Sequence, residues 1–422
     1  MSSLDRTTFD RLVAGRPERA ADAARRAMDA FEKLPTPDPR EEDWRYVTVD
    51  TDPDTLTLAE PGAPMGDDHL VGLLGDVAGG GTIVDGSVTE SGSDGAARVL
   101  RVADHWDDDT VVDVLERGVP ADLDRFAAAA QAFSADGLLV HLPAGSHDDR
   151  PYVVDVHATA TDAVSFPRIA VVAGDGSEGR VLIRLRSPEG AATTVIPIVD
   201  VIAGANARPT VTTLQTLDPA TRSITLQRMI AGRDTGLVFE EAGFGASNAR
   251  LHLTVDLAGR GADAKILGVY FGDHDQTLDY RYFMNHIAPN TTSEMTLKGA
   301  VGDAAKAVFT GLIRIEPDGQ RTNAHQNNRN LVLTDGAEAH SVPNLEILAN
   351  DVRCGHGSAV GPLDQEQRYY LMSRGLDRVA ADRLQVIGFF EDVLGRFSHD
   401  VLDPALRKIV TSTYAGIVER DA

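Results

Sequence analysis

The run TTVIPIVDVIAG (residues 193–204) belongs to a series of short apolar segments that decide the fold, together with ARLHLTVDLAG (249–259) and AVFTGLIRIE (307–316). Segments of this kind, rich in Val, Ile, Thr and Leu, follow one another from about residue 152 to about residue 360. Gly, Asp, Asn or Pro separates them at intervals of about eight to twelve residues. No convincing long helical pattern interrupts them. The sequence therefore predicts a mainly β core over residues 151–361.

Two architectures fit such a series of strands: an antiparallel sandwich or barrel, and a parallel β-helix solenoid. No Asn-Gly dipeptide separates the apolar segments, and this argues mildly against tight antiparallel hairpins. Strands with apolar residues at most inward positions, joined by short polar corners, suit coils that bury one another. Periodicity favours the solenoid and leaves the sandwich open.

Helical patterns flank this core. In the N-terminal region, residues 1–150, a helical pattern over residues 4–33 ends at a proline-rich segment, and Trp44 behind it is predicted to anchor that arm to the body. The triple glycine at 79–81 lacks the Lys-Ser/Thr of a phosphate-binding P-loop and is predicted to be a loop. In the C-terminal region, residues 362–422, Asp364 and Asp377 are predicted to cap helices, and Gly375 to end the first.

Composition excludes several classes of protein. A formal charge of −24 and a pI near 4.8 argue against nucleic acid as a partner. Only five of the 40 basic residues are lysine, a usage typical of salt-adapted proteins. A single cysteine cannot form an intramolecular disulfide. The start of the chain lacks the apolar core of a signal peptide, and no run of 18 apolar residues is present, so we expect a cytoplasmic protein that does not enter a membrane.

The candidate for chemistry is the pair Cys354 and His356, at the point where the β pattern gives way to the helical one. Thiolate and imidazole suit soft or borderline metals such as iron or zinc. On a strand, residues i and i+2 point to the same side, so both side chains could face one ion. Two ligands are too few for a closed site, and the others would have to come from another chain. The alternative is a buried structural cysteine beside a structural or surface histidine.

Several segments carry a resemblance to a known family. The segment LEILANDVRCGHGSAVGPLDQEQRYYLMSRGL (345–376) resembles the signature of the SufB/SufD family of iron–sulfur assembly scaffold proteins, in which a Cys-x-His-Gly block leads into a helix ending in Ser-Arg-Gly. VFTGLIRIEPDGQRTNAHQNNRNLVLT (308–334) and NHIAPNTTSEMTLKG (285–299) resemble further family segments. So do ADGLLVHLPAG (135–145) and PREEDWRYV (39–47) nearer the N-terminus.

Within this family the chain looks most like SufD. SufB-like proteins carry another cysteine in the segment that corresponds to Leu331–Leu345, and this chain has none there. The resemblance implies a right-handed parallel β-helix between helical terminal regions, and a non-catalytic subunit that pairs with SufB through its late strands. It also implies that Cys354 and His356 face iron or a transient iron–sulfur cluster shared with SufB.

The resemblance further implies that the C-terminal helices bind SufC, an ABC-type ATPase. The candidate residues for this contact are Tyr370, Arg374, Gly375, Leu384, Ile387 and Phe390. A homodimer in isolation and a reduced flavin at the level of the complex are further expectations. Two alternatives stay open: a structural solenoid that tethers an ATPase without metal chemistry, and a polysaccharide-processing β-helix enzyme.

Overall fold

Strands and helices are described for residues 2–46, 51–66, 74–398 and 402–421 of a computed structural model of the chain. The helices are α1 (Arg6–Val13), α2 (Glu18–Lys33), α3 (Asp109–Arg117), α4 (Arg125–Phe133), α5 (Gln365–Ser373), α6 (Arg378–Leu394) and α7 (Asp403–Asp421), with short 3₁₀ turns at Pro53–Thr55 and Val102–Asp104. None of the helices in these ranges combines the length and apolarity that crossing a lipid bilayer requires.

The strands occupy most of the middle of the chain. They are β1 (Ser2–Ser3), β2 (Thr57–Leu58), β3 (Gly79–Val84), β4 (Ser87–Ser93), β5 (Arg98–Arg101), β6 (Gly137–Leu142), β7 (Tyr152–His157), β8 (Val164–Ser165), β9 (Arg168–Ala173), β10 (Glu178–Arg186), β11 (Thr194–Val195), β12 (Ile198–Ala203), β13 (Arg208–Leu217), β14 (Arg222–Ala231), β15 (Gly236–Gly245), β16 (Asn248–Leu257), β17 (Asp263–Gly272), β18 (Thr277–His286), β19 (Thr292–Val301), β20 (Lys306–Ile315), β21 (Asn323–Val332), β22 (Glu338–Ile347) and β23 (Arg353–Gly361).

These strands form a parallel β-solenoid, because successive strands alternate between two sheets. The first sheet runs β6, β9, β12, β14, β16, β18, β20 and β22, and the second runs β3, β7, β10, β13, β15, β17, β19, β21 and β23. Every pairing between neighbours in these two series is parallel and in continuous register. The prediction of a mainly β solenoid flanked by helices is confirmed, and the antiparallel sandwich is excluded.

The corners from the first sheet to the second repeat one backbone conformation. In six successive coils a single residue at this corner has a positive φ: Gly176, Asn206, Asp234, Gly261, Asn290 and Arg321. Its N–H donates to a carbonyl of the next coil, as Asn206 does to Arg233 at 2.8 Å and Asn290 does to Gln320 at 2.8 Å. A tight hairpin with a type I′ turn needs two consecutive residues with positive φ, for which Asn-Gly is the preferred pair. Each corner here needs only one such residue, and this explains why Asn-Gly turns are absent.

Each side of the sheets packs against a different layer. The inward-facing residues of both sheets form one continuous core, to which β18 contributes Leu278, Tyr280, Tyr282 and Met284. Helices α6 and α7 cover the outer face of the second sheet, where Phe390 lies 5.7 Å from Phe271 between ring centroids. The N-terminal helices cover the outer face of the first sheet. The solenoid is thus apolar on three surfaces, and the C-terminal helices lie along its side.

The N-terminal arm is fixed across the first sheet. Trp44 is 5% exposed, its ring lies 5.8 Å from that of Phe126, and the Arg250 guanidinium lies 3.8 Å from its centroid. Beside it, Arg250 and Arg281 both donate to the backbone carbonyl of Asp43, at 3.1 and 3.0 Å. The prediction that Trp44 anchors the arm is confirmed.

The triple glycine departs from its predicted loop. Gly79–Gly81 opens strand β3, which pairs with β4 on one side and β7 on the other. Gly80 has φ +145°, and a Cβ there would lie 1.7 Å from the carbonyl oxygen of Val153. The glycines are present because the backbones approach closely, and the prediction of a loop was wrong because glycine is rare in ordinary strands.

Glu241 is a carboxyl group inside the solenoid, 4% exposed, on the inward side of β15. Burial raises its pKa well above the ordinary value, so the folded protein holds it protonated. The unfolded chain loses this proton above about pH 4.3. Folding stability therefore falls as pH rises from that value towards the folded pKa.

We expect the unfolding free energy of the Glu241→Gln variant, relative to that of the wild type, to increase as pH rises. The difference should grow by up to about 1.4 kcal/mol for each pH unit above the ordinary glutamate pKa of about 4.3, until the pH approaches the raised pKa of the folded protein. Urea unfolding of both proteins across this range measures it, and the many other carboxylates cancel in the difference. A difference that does not change with pH would show that Glu241 is ionised in the folded protein.

Candidate functional site

Cys354 and His356 lie on β23, the final strand of the solenoid. In the parallel register with β21, Cys354 pairs with Ala324, His356 with Gln326, and Ser358 with Asn328. Ala324, Gln326 and Asn328 are all buried, so this side of the strands faces the interior. The register therefore puts Cys354 and His356 on one side of the strand, the side that continues the inner surface of the solenoid.

These two residues are at the open end of the solenoid. Among the described residues no strand pairs with the outer edge of β22 or β23. Cys354 is half-buried against the core, and His356 is exposed. The two strands of this last turn are linked by a hydrogen bond of 2.7 Å from the Ser358 hydroxyl to that of Ser341.

Large apolar side chains accompany the open end. Ile347 is 43% exposed, Leu348 52% and Val360 45%. In every earlier turn the positions of Ile347 and Val360 are covered by the next strand; Ile315, for example, is fully buried beneath Ile347. The last turn therefore presents an inner surface that nothing in the described chain covers.

Burial raises the pKa of the Cys354 thiol, and the nearby Gly355 N–H opposes this only in part. The sulfur is accordingly a neutral thiol near pH 7 and would release a proton on binding a metal. A thiolate and an imidazole together suit iron and iron–sulfur clusters. The donor set therefore fits iron as cargo, and it is two donors short of a closed tetrahedral site.

Another cluster of potential ligands lies elsewhere in the described residues. Asp273, His274 and Asp303 are the only three His, Cys, Asp or Glu side chains there whose ligand atoms converge, and no third such residue joins Cys354 and His356. Arg420 already binds the converging pair of carboxylates, with contacts of 2.8 Å to Asp273 and 2.8 Å to Asp303. These three residues thus form an ion-paired corner of the solenoid. The sequence could not reveal it, because it arises where two corners that are 29 residues apart in the chain stack on one another.

Directly beneath the last turn, the inner face of β21 carries amides. Asn330 donates to Asn328 at 2.7 Å, Asn328 donates to the Tyr270 hydroxyl at 3.2 Å, and that hydroxyl donates to Asn330 at 2.6 Å. This ring of three hydrogen bonds fixes both amides. Gln326 donates to the carbonyl of Asn344 in the last turn at 3.3 Å. The sequence analysis missed this layer of buried amides. The signal was present, because alternate positions of NAHQNNRN (323–330) read Ala-Gln-Asn-Asn, which puts three amides on one side of the strand.

The predicted partner-binding residues separate into two groups. Helix α5 has no buried residue, and Tyr370 on it is 56% exposed, with the Arg374 guanidinium 5.1 Å from its ring centroid. Leu384 on α6 is 49% exposed, Gly375 is exposed, and Ile387 is half-buried. We call Tyr369, Tyr370, Met372, Leu376, Val379 and Leu384 the helical face; they form a set of exposed large apolar residues.

Phe390 belongs to the other group. It is fully buried between α6 and the second sheet, so it offers no surface to a partner. The prediction that Phe390 contacts a partner is corrected: its role in this structure is to hold α6 against the solenoid. The helix caps were predicted correctly, since Asp364 accepts from the N–H groups of Glu366 and Gln367, and Asp377 from that of Ala380.

The similarity to known proteins covers the part of the chain that contains most of the solenoid and the Cys354/His356 pair. A family model described as SUF system FeS cluster assembly, SufBD core domain, matches residues 156–389. An iron–sulfur cluster assembly SufBD family protein of Mycobacterium tuberculosis is 35% identical over 295 residues, which cover 67% of this chain and 72% of that protein. The iron–sulfur cluster assembly protein SufD of Bacillus subtilis is 28% identical over 285 residues, covering 66% and 64%. The chloroplastic protein ABCI7 of Arabidopsis thaliana is 28% identical, covering 64% and 59%.

Proposed function

This chain belongs to the SufB/SufD family of SUF-system iron–sulfur cluster assembly proteins and is SufD-like, and we propose that it acts as a non-catalytic scaffold subunit that completes its site with a partner chain. The observation that carries the proposal is that the described residues supply only part of a ligand set, which we call the half-site. Cys354 and His356 share one face of the last strand, and no third ligand joins them among the described residues.

The partner we propose at the open end is a SufB-like protein. Exposed Ile347, Leu348 and Val360 need a covering surface, and the free edges of β22 and β23 offer backbone groups for strand addition. Such a partner would bring the missing ligands within reach of His356. A second copy of this chain fits the same edges, so a homodimer in isolation is part of the proposal.

The cargo we propose is iron or a transient iron–sulfur cluster shared with the SufB-like partner. His356 is exposed and free to offer an imidazole ligand. For Cys354 both roles stay open, ligation or packing, because its thiol is half-buried against the core. A reduced flavin bound at the level of the complex, and a cytoplasmic location, complete the proposal.

Anaerobic reconstitution with iron and a sulfide source tests the shared site. We expect this chain alone to retain little iron after desalting, and the complex with a SufB-like and a SufC-like protein to retain a cluster seen by visible absorption. A cluster formed equally well on this chain alone would refute the half-site. A complex with a SufB-like protein that retains a cluster only on that protein would favour the alternative of a structural tether.

The helical face is the proposed docking site for a SufC-like ATPase. Tyrosine and arginine are among the residues that most often dominate binding energy, and Tyr370 here lies beside Arg374 within a set of exposed apolar side chains. We expect Leu384→Asp to weaken the affinity for the ATPase at least about tenfold, or about 1.4 kcal/mol, because the change places a charge in an apolar contact. Isothermal titration calorimetry with the purified ATPase measures the effect.

Ile287→Asp is the matched control for this prediction. Ile287 is 40% exposed, similar to Leu384, and it lies at a corner of the solenoid outside the helical face. The control should bind the ATPase like the wild type. Equal affinities for all three proteins would place the ATPase elsewhere on the chain.

A further inference from the structure

The interior of the solenoid is polar at the level of β13 to β18. Inward-facing positions there hold Thr213, Gln215, Gln227, Glu241, Tyr280 and Tyr282, all of them buried. Earlier turns carry Val, Ile and Leu at the equivalent positions, such as Ile183 and Leu185 beside Thr213 and Gln215. The polar level is therefore a local feature inserted into an apolar core.

Two glycines let tyrosine hydroxyls cross this interior. The Tyr280 hydroxyl lies 1.7 Å from where a Cβ at Gly243 would stand, and Gly243 pairs with Gln215 in the register. The Tyr282 hydroxyl lies 3.6 Å from the Cβ position of Gly268, which pairs with Glu241. Each hydroxyl of the first sheet thus reaches a glycine of the second sheet whose neighbour in the register carries a polar side chain.

These groups nevertheless lack partners at four atoms. Gln215 Nε2, Gln227 Oε1, Glu241 Oε2 and the Tyr282 hydroxyl are buried and have no hydrogen-bond partner within the described part of the protein. Tyr282 is 0% exposed and Gln227 1%, so bulk solvent does not reach them. Nearby Tyr270 shows the contrast, since its hydroxyl makes two hydrogen bonds with protein amides.

We propose that this level of the solenoid is an internal binding site for a cluster of ordered water molecules, held by Glu241, Tyr282, Gln215 and Gln227. Buried polar groups in native proteins are almost always satisfied, and internal water supplies the bond where protein does not. Water suits this set because it donates and accepts, and the site offers an amide donor, an amide acceptor, a carboxyl group and a hydroxyl. A cation does not suit it, because burial favours the uncharged form of Glu241 and no charged side chain among the described residues shifts its pKa.

A crystal structure of the full chain tests the site directly. Expected is ordered solvent density within hydrogen-bonding distance of Glu241 Oε2 and the Tyr282 hydroxyl. Absence of density there, in a map that shows buried water elsewhere in the same molecule, would overturn the proposal.

The sign of a stability change gives a second test. If water bonds the Tyr282 hydroxyl, Tyr282→Phe removes a hydrogen bond and should lower the midpoint of thermal unfolding by about 1–2 °C. If the interior is dry, the same change removes an unsatisfied polar group, and an unchanged or higher midpoint would overturn the proposal. Tyr270→Phe is the matched control, because it removes a hydroxyl with two protein partners and must lower the midpoint.

Discussion

The His356→Ala variant is expected to lower the iron and acid-labile sulfide of the anaerobically purified complex several-fold, while the complex itself stays assembled. His356 is exposed on the last strand and contributes no buried contact, so its removal should not disturb the fold. It is one of the two soft or borderline donors on the inner side of β23. Losing it leaves a cluster short of one ligand. Iron and sulfide assays, with size-exclusion chromatography for assembly, measure the outcome.

His325→Ala is the matched control. His325 is also exposed and lies on neighbouring β21, but it occupies an outward position that pairs with Gly355. If position relative to the inner face decides ligation, the control should keep its cluster. Normal cluster content in both variants, with the complex intact, would move the chemistry wholly onto the partner. Equal loss in both would point to a site on the outer face.

Asp200→Ala is expected to destabilise the chain by about 3–5 kcal/mol, the largest effect we predict for a single side chain. Asp200 is 0% exposed and Arg168 2% exposed, and their charged groups lie 3.2 Å apart. Asp200 also accepts the N–H of Val119 at 2.7 Å. Removing the carboxylate leaves a buried cation and a buried N–H unpaired. Denaturant unfolding followed by circular dichroism measures the change.

Two further variants separate this mechanism from a simple loss of packing. Combining Asp200→Ala with Arg168→Met removes both charges, so part of the lost stability should return. Asp109→Ala removes a carboxylate that is 97% exposed and paired with Arg19 at 3.3 Å, and it should change stability by less than about 0.5 kcal/mol. A double variant no more stable than Asp200→Ala would mean that the buried charge is not the cause.

The strands were predictable because their pattern is local. Runs such as 249–259 and 307–316 coincide with β16 and β20 in all but one or two terminal residues. The parallel arrangement was only favoured by the sequence, because inward alternation and short corners fit coils without excluding a sandwich. The corner conformation could not be predicted from the sequence, because the residue with positive φ is Gly, Asn, Asp or Arg in different coils.

The candidate site was predictable in its donors and not in its surroundings. Alternation on a strand predicts one face for Cys354 and His356, as the register shows. On α6 the apolar residues follow more than one stripe, and periodicity alone does not say which stripe meets the sheet. Val386 and Phe390 are buried, while Leu384 is half-exposed. Only the packing of the helix against Phe271 decides between them.

The one-sided pairing of β22 and β23 has a consequence for local unfolding. In a stacked array each unit is stabilised by its neighbours, and a terminal unit has one neighbour in place of two. Opening of the last turn therefore costs less free energy than opening of an interior turn such as that of β17 and β18. Amide hydrogens around Cys354 and His356 should consequently exchange with solvent faster than those of inner strands until a partner covers the edge. Order in β23 and occupancy of that edge then rise together, so on the proposed function this strand is most rigid when the partner that would complete the site is bound.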